Sequence, residues 1–381
     1  MNLTRRHLLA AGGAATLVSA CGVGPAGPSP TRIDSGFRLA GVTRVTQIAQ
    51  LTGPGAINDT AAVLLAGADL GHMTTVGNRT WFVFGDNFGI RPDDAFGGTG
   101  EVWKSNCLAW STDDDPSDGI TFDGWILDDL DQVAEVLPGD HRPNDVEGEV
   151  TKIPTQLFAA GDALFLAYMS VIHWGDPGVW TAGYAGLARS DDDGATWQIL
   201  EDVRWPGDSG FVQLAQAEVE DGGRAYVYLW GVGAGRFGPV RLMRVPAEAD
   251  AAARLDAYEY FAGTDDDGAP RWSPTLGDAQ VVLDAGTGEL SVLWSPLLKR
   301  WLLSSMLDNG SAVLYEGLSP WGPWSDPHEI LTQQQAPGLY APYLTPRYTA
   351  EDGRRLYFTL SLWGPYQVFW YSMDLTLTGS G

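Results

Sequence analysis

One stretch of the chain predicts both a β-hairpin and a pair of acids at its open end. It runs from Ala68-Asp69-Leu70-Gly71 to Trp81-Phe82-Val83-Phe84-Gly85-Asp86-Asn87-Phe88-Gly89. Between these ends, Gly77-Asn78 is a two-residue signal for a hairpin turn. In the register that this turn sets, Asp69 lies directly opposite Asp86, with the two Cβ atoms roughly 4.5–5.5 Å apart. Two carboxyl groups this close cannot both ionise freely, so we expect a raised pKa and a candidate acid–base pair.

The same unit, an inner strand, a turn and an aromatic strand, recurs along the chain. The aromatic runs are Trp81–Phe84, Leu164–Tyr168, Ala225–Trp230, Trp301–Leu303 and Leu356–Leu360. Their turns fall near Gly77-Asn78, Gly161-Asp162, Asp221-Gly222, Leu297-Leu298 and Asp352-Gly353. An alternating strand over Phe37–Leu51 precedes the first unit. Five copies at irregular spacings predict an all-β fold, a five-bladed β-propeller in a single domain.

A smaller motif supports the blades. Ser190-Asp191-Asp192-Asp193-Gly194-Ala195-Thr196-Trp197 is similar to the S-x-D-x-G-x-T-W turn of sialidase-like propellers. There the aspartate caps the turn, the glycine takes an unusual dihedral angle and the tryptophan packs between strands. We therefore assign these residues a structural role only.

The N-terminus has the pattern of an export signal. Arg5-Arg6 precedes a short apolar run, which is typical of twin-arginine (Tat) export, and Val18-Ser19-Ala20-Cys21 matches a lipoprotein cleavage site. We predict a Tat-type lipoprotein signal peptide over residues 1–21, lipidation at Cys21 and a flexible tether over 22–36. The catalytic propeller domain then covers 37–381. The expected location is outside the cytoplasm, on the cell membrane and facing the wall.

Composition excludes several classes of partner and cofactor. The 381 residues carry a net charge of −25, which repels nucleic acid and anionic lipid. The membrane is therefore expected only through the lipid anchor, and the protein is expected to be a monomer. No nucleotide, zinc or redox motif occurs, so we predict neither a cofactor nor a metal site. Acidic runs such as Asp113–Asp115 are interpreted as solvated turns rather than Ca²⁺ sites.

Propeller geometry singles out one set of residues. The innermost strand of each blade begins on the face where the next strand ends, so residues at these ends should gather around the axis. We select Asp69, Asp86 and Glu289 as catalytic carboxyl groups. The substrate-binding candidates are Asn87, Asn106, His173, Trp174, Arg236, Asp308, Trp363 and Tyr366. Aromatic platforms beside paired carboxyl groups are what a carbohydrate site requires.

Several motifs resemble one known family. Ala68-Asp69-Leu70-Gly71 with Phe84-Gly85-Asp86-Asn87-Phe88-Gly89 is similar to a motif pair of the family called domain of unknown function 4185. Further matches, in family order, are Trp103–Asn106, Ser170–Asp176, Ala234–Gly238, Gly288–Val292, Gly322–Ser325 and Ser361–Tyr366. The chain departs from the family pattern at Ala68, Asn87 and Lys104, and none of these changes removes a carboxyl group.

The resemblance implies a five-bladed propeller. It also implies an activity, because some members are endo-acting D-arabinofuranan hydrolases of glycoside hydrolase family 183. These enzymes cut the arabinan of mycobacterial arabinogalactan and lipoarabinomannan, and inversion is the implied outcome. Two alternatives stay open: a non-catalytic lipoprotein that binds cell-wall polysaccharide, and a hydrolase of another furanoside.

Overall fold

The computed structural model describes residues 36–379, and nearly all of the regular structure in them is β-strand. The first strand, β1 (Arg38–Gln50), belongs to the last blade. Within the described residues the strands form five sheets, which confirms the predicted five-bladed propeller. The predicted strand over Phe37–Leu51 matches β1 to within a residue at each end.

The blades follow one another along the chain. Blade 1 contains β2 (Gly67–Val76), β3 (Arg79–Ile90), β4 (Glu101–Lys104), β5 (Cys107–Ser111) and β6 (Gly124–Trp125). Blade 2 contains β7 (Thr151–Ala160), β8 (Ala163–Trp174), β9 (Trp180–Ser190) and β10 (Gln198–Pro206). Blade 3 contains β11 (Gln213–Asp221), β12 (Arg224–Val232), β13 (Gly238–Pro246), β14 (Glu259–Thr264), β15 (Pro270–Ser273) and β16 (Val281–Thr287).

Two blades complete the ring. Blade 4 contains β17 (Ser291–Ser295), β18 (Arg300–Met306), β19 (Ala312–Gly317) and β20 (His328–Leu331). Blade 5 contains β21 (Leu339–Ala350), β22 (Arg355–Leu362) and β23 (Gln367–Thr378). One short helix, α1 (Ala249–Ala252), and 3₁₀ turns at Ala61–Val63, Leu255–Ala257, Leu276–Asp278 and Glu351–Gly353 lie between the strands of this part of the chain. No helix in residues 36–379 is long and apolar enough to cross a membrane.

The ring closes by pairing of the two chain ends. β1 pairs antiparallel with β23 as the outer strand of blade 5, so the first and last strands of the described residues are joined in one sheet. The inner strands β2, β7, β11, β17 and β21 contact one another in that order around the axis, and β21 contacts β2 again. The starts of these inner strands therefore face a common centre.

The core consists of apolar side chains packed between neighbouring blades. Phe82 and Phe84 of blade 1 belong to one buried cluster with Trp370 of blade 5. Trp230 of blade 3 and Trp301 of blade 4 are fully buried, with their ring centroids 5.5 Å apart. Each large buried side chain of this kind contributes roughly 2–3 kcal/mol through removal of apolar surface from water. The aromatic strands of the sequence pattern are thus the layers that hold the blades together.

The motif at Ser190–Trp197 forms the predicted turn. The Asp192 carboxylate accepts hydrogen bonds from the backbone N–H and hydroxyl of Thr196, at 2.8 and 2.6 Å. Gly194 has a φ of +80°, and the Trp197 indole donates to its carbonyl at 2.9 Å. The structural role predicted for these residues is confirmed.

The hairpin of blade 1 turns at Gly77-Asn78 as predicted, but its register is not regular to the open end. Gly67 and Ala68 pair with Phe88 and Asn87, in the predicted register. Two bulges, between Ala68 and Leu70 and between Leu70 and His72, follow. The prediction that Asp69 and Asp86 form a directly opposed pair is therefore wrong, because the bulges remove Asp69 from the ladder.

Candidate active site

Asp69 is directed over the next strand rather than across the ladder. Leu70 has a φ of +66° and Gly71 a φ of +81°, so the strand kinks immediately after Asp69. The Asp69 carboxyl oxygen Oδ1 lies 2.5 Å from the position that a Cβ on Gly85 would occupy. A side chain at position 85 would thus displace the acid, which explains the glycine between Phe84 and Asp86.

The environment of Asp69 favours its protonated form. The hydroxyl of Tyr340, at the start of β21, donates to Asp69 Oδ2 at 3.0 Å, while Oδ1 is buried and has no hydrogen-bond partner in the described residues. Burial raises the pKa of Asp69 to about 8, and the negative charge of Asp86 adds to the rise. The hydroxyls of Tyr340 and Tyr366 only partly offset this effect. Asp69 is therefore largely protonated at neutral pH.

Asp86 lies in the second half of β3, and two donors bind one of its carboxylate oxygens. Its Oδ1 accepts hydrogen bonds from the Trp103 indole at 2.8 Å and from the Thr151 hydroxyl at 2.6 Å. The Tyr366 hydroxyl donates to the Asp86 carbonyl at 3.0 Å. Burial raises the pKa of Asp86 to about 6, and the bonds from Thr151 and Trp103 limit the rise. Asp86 is thus mainly ionised at neutral pH, unlike Asp69.

The sequence analysis attributed the raised pKa to the closeness of the two acids. In the structure, burial is the first cause at both residues, and the charge of Asp86 is the second cause at Asp69. The pKa of Asp69 is still the higher of the two and that of Asp86 the lower, which is the difference that an acid–base pair requires.

Glu289 forms an ion pair with Arg236. Three contacts join them: Arg236 Nε lies 3.0 and 2.9 Å from the two carboxylate oxygens, and Nη2 lies 2.6 Å from Oε1. Glu289 is buried, at 5% exposure, just before β17, and Arg236 follows β12. Such a bidentate pair gives hydrogen-bond donors to both carboxylate oxygens. The Glu289 carboxylate is therefore engaged by Arg236, whereas neither aspartate has a guanidinium donor.

A continuous strip of rings crosses the face beside the acids. Trp363 and Tyr340 have centroids 6.4 Å apart, and the Arg236 guanidinium lies 5.1 Å from the centroid of Tyr340. The same guanidinium lies 5.6 Å from the Trp180 centroid, and Trp180 lies 5.7 Å from Trp174. The strip runs from blade 5 to blade 2 and passes Asp69 at its centre, where the Tyr340 hydroxyl bonds the acid.

Trp363 is the most exposed member of the strip, at 47%. The Gly97 N–H donates to the Gly364 carbonyl at 3.1 Å, and Gly97 packs directly under the Trp363 ring. Phe96, 73% exposed, lies over Gly364. Two loops, from blades 1 and 5, thus present Trp363 and Phe96 to the solvent side by side.

The structure brings Asp69, Asp86, Glu289, Arg236, Trp174, Trp363 and Tyr366 into this one region. Asn87 and Asn106 do not line this region. Both are buried, and their amides bond to backbone groups: Asn87 to Gly85 O and Lys104 O, Asn106 to Leu137 O, Lys152 O and Leu137 N. They fix loops and offer a substrate almost no surface.

His173 and Asp308 lie outside the strip. His173 is exposed, and its ring contacts the Asn144 carbonyl at 3.2 Å. Asp308 is exposed in the turn after β18. Neither forms a hydrogen bond or an ion pair with Asp69 or Asp86 in the described residues, so the structure gives neither a role at the acids.

The sequence analysis did not assign roles to several residues around Asp86. Trp103 and Thr151 donate to it, while His141 and Glu135 stand beside Trp103. Trp103 belongs to the family-like motif Trp103–Asn106, which is the sequence signal for it. His141 and Glu135 lie in an irregular loop, and no pattern marks them. In the described residues, no group of three or more His, Cys, Asp or Glu side chains is arranged to hold a metal ion.

The fold and site define a five-bladed propeller with a carboxyl pair on its open face. Its family is equally clear: residues 55–372 match the model of the domain of unknown function DUF4185, and the chain belongs to that family. No curated protein matches the chain significantly.

Solved structures are similar in fold at low identity. A protein from Bacteroides ovatus, provisionally described as a hydrolase, superposes with a TM-score of 0.54 at 13% identity, covering 81% of this chain and 86% of its own. The exo-β-1,3-galactanase of Phanerochaete chrysosporium superposes at 0.48 with 10% identity, over 89% of this chain and 69% of its own. The β-xylosidase RS223 superposes at 0.46 with 11% identity, over 83% and 94%.

Proposed function

We propose that this protein is a glycoside hydrolase that cleaves D-arabinofuranan of the mycobacterial type, within the chain, with Asp69 and Asp86 as its acid and base. The observation that carries the proposal is the pair of half-buried aspartates on the propeller face, one mainly protonated and one mainly ionised at neutral pH. Glycosidases use two carboxyl groups in these two states. The strip of rings beside the pair supports a sugar polymer as the ligand.

The chemistry follows from these states. Asp69 donates its proton to the glycosidic oxygen as the bond to the anomeric carbon breaks. Asp86 accepts a proton from the water that attacks this carbon, so Asp69 ends ionised and Asp86 protonated. Trp103 and Thr151 hold Asp86 Oδ1, which leaves the other oxygen available for the water. Attack from the face opposite the leaving group inverts the anomeric configuration.

The polymer and the linkage are proposed from the resemblance of the motifs to D-arabinan hydrolases. The exposed ring of Trp363 and the half-buried ring of Trp174 lie at opposite ends of the strip, with Tyr340 and Trp180 buried between them. This arrangement supports binding of sugars on each side of the cleaved bond. Arg236 is the cation of the strip and offers N–H donors to sugar hydroxyls in addition to its bonds with Glu289.

The test is hydrolysis of mycobacterial arabinogalactan by the purified protein. We expect released oligosaccharides, with the inverted anomer appearing first by proton NMR, and a loss of about a thousandfold or more in kcat for Asp86→Asn. Asp284→Asn, an exposed aspartate on β16, is the matched control and should keep wild-type activity.

Binding of arabinan without release, unaltered by Asp86→Asn, would instead identify a wall-binding protein. Release from galactan or an L-arabinan, and none from D-arabinan, would redirect the proposal to another furanoside. A retained anomer would contradict the roles given to the two acids.

We also propose that the protein is exported and held on the outer side of the membrane by a lipid on Cys21. The twin arginines and the cleavage pattern support this, and they lie outside the described residues. Cys21→Ala should release the protein from the membrane fraction. If the variant stayed in that fraction, the lipid anchor would be excluded.

A further inference from the structure

A second polar pair stands beside Asp86, and the reaction described above does not use it. Nε2 of His141 lies 2.7 Å from Oε1 of Glu135. The His141 ring also meets Trp103 edge to face, with centroids 4.4 Å apart and an interplanar angle of 78°. Trp103 is the residue whose indole N–H donates to Asp86. The pair therefore reaches the proposed base through a single side chain.

The loop that carries the pair is held in place. Oε1 of Glu135 also accepts hydrogen bonds from the backbone N–H groups of Ser105, at 2.9 Å, and Gly139, at 3.2 Å. Ser105 follows Lys104, the last residue of β4, which also contains Trp103. One carboxylate thus fixes both the strand end that bears the indole and the loop that bears the imidazole.

His141 occupies a costly conformation. Its φ is +51°, in the left-handed region that favours glycine, which is a strained backbone conformation for a histidine. Its Nδ1 is buried and has no hydrogen-bond partner in the described residues, which is a second unfavourable contribution. A phenylalanine would pack on Trp103 without the second cost. Packing alone therefore does not account for a histidine here.

The charged groups around Asp86 come from several elements. Asp69 faces it from β2, while His141 and Glu135 face it from the loop before β7. Thr151 on β7 and Trp103 on β4 donate to it, and Tyr366 bonds its carbonyl from blade 5. After burial and the two hydrogen bonds, His141 lowers the pKa of Asp86 and Glu135 raises it.

We infer that Glu135 and His141 are a positioning pair, which clamps the Trp103 indole so that it holds Asp86 in the orientation needed to activate water. The inference rests on the proposed function, because it assigns Asp86 the role of base. Neither residue touches the reacting atoms; they act on Asp86 by positioning Trp103 and, more weakly, through their charges.

The first test compares His141→Ala and His141→Gln in the full chain. Misplacing a base by a fraction of an ångström to one ångström costs roughly ten- to a hundredfold. We expect His141→Ala to lower kcat on arabinogalactan by about that factor, with KM changed less than about twofold. The glutamine variant can still donate to Glu135, and it should recover most of kcat. His328→Gln, on β20 of blade 4, is the matched control.

The pH profile separates positioning from mere stabilisation. His141→Gln removes an influence that lowers the pKa of Asp86, so the acidic limb of kcat/KM should move to higher pH. A purely structural histidine would lower kcat and the melting temperature together, without rescue by glutamine and without moving the limb. That result would overturn the inference.

A measurement that does not depend on catalysis tests this inference separately from the proposed function. In proton–nitrogen NMR of the full chain, the Trp103 indole resonance, identified by its loss in Trp103→Phe, should shift between about pH 5 and 7 as Asp86 titrates. In His141→Ala it should move upfield and exchange faster with solvent. An indole resonance unchanged in His141→Ala overturns the inference. If the protein cleaves no arabinan at all, the proposed function fails and the indole response alone decides the positioning pair.

Discussion

Three carboxyl groups on the open face of the propeller lie in two kinds of environment. Glu289 is bound by the Arg236 guanidinium through three short contacts. Asp69 and Asp86 have neutral donors only, from Tyr340, Trp103 and Thr151. Glu289 is buried and the two aspartates are half-buried, and of the three only Glu289 has a guanidinium as its hydrogen-bond partner. Burial without such a partner raises the pKa of Asp69 and Asp86.

The comparison also shows how the fold keeps the two environments apart. Arg236 comes from the end of β12 in blade 3, and Glu289 precedes β17 in blade 4. The two aspartates come from a single hairpin of blade 1. The Tyr340 ring stands between them, because its hydroxyl bonds Asp69 while its ring lies 5.1 Å from the guanidinium. The ion pair and Asp69 therefore contact the same aromatic side chain, Tyr340.

Breaking the ion pair should give the largest change in stability. Glu289→Gln leaves the Arg236 charge, only 19% exposed, without its counter-charge. Removal of one partner of a buried pair costs about 3 kcal/mol or more. We expect a clearly lower denaturant midpoint with an unchanged m-value, measured by urea unfolding. Glu248→Gln, in the exposed pair with Arg224, is the control and should keep the wild-type denaturant midpoint, because water screens the pair. Equal midpoints for Glu289→Gln and the control would show that the buried ion pair contributes no more to stability than the exposed one.

The different pKa values of the two aspartates should instead determine the pH dependence of activity. Asp86 must be ionised and Asp69 protonated, so kcat/KM should rise through about pH 6 and fall through about pH 8. Two pH units outside either limit, activity should be roughly a hundredfold lower. The measurement is a kcat/KM profile on arabinogalactan from pH 4 to 10, within the range where the fold is intact. A profile flat to pH 10 would contradict protonated Asp69 as the acid.

The third and smallest effect is a gain in stability: removing the Asp69 carboxyl group should stabilise the fold, whereas removing that of Glu289 should destabilise it. The pKa of Asp69 is raised in the folded state, so the folded protein binds more protons than the unfolded chain between about pH 4 and 8. Stability is therefore lost as pH rises through this window. Asp69→Asn is neutral at every pH and should be more stable than wild type by at least about 1 kcal/mol at pH 8, with little difference at pH 3. Thermal melts at the two pH values check this. A variant less stable than wild type at pH 8 would show that Asp69 is not strained in its ionised form.

The sequence predicted the parts of the site that depend on local pattern. Gly77-Asn78 sets the hairpin turn, and the hairpin brings Asp69 and Asp86 to the same end of blade 1. The recurring aromatic strands predict the blades, and strand order then places Arg236, Glu289, Trp363 and Tyr366 on the same face. These inferences hold because turn chemistry and strand alternation act over a few residues.

Other features of the site depend on contacts that no local pattern contains. The bulges at Leu70 move Asp69 out of the ladder and over Gly85. Asn87 and Asn106 look like exposed polar residues next to a site, yet each is used to satisfy backbone groups of a loop. His141 and Glu135 reach Trp103 from an irregular loop more than 30 residues away in the chain.

The class of fold, the two aspartates and the face on which they lie follow from the sequence, because period-two alternation and two-residue turns are local properties of the chain. The protonation state of each acid depends on contacts between blades. A pKa depends on burial and on the charges nearby, and those come from other blades: Tyr340 from blade 5, Thr151 from blade 2, and Arg236 from blade 3 for Glu289. The two aspartates come from one hairpin of blade 1, and residues of the other blades set their pKa values.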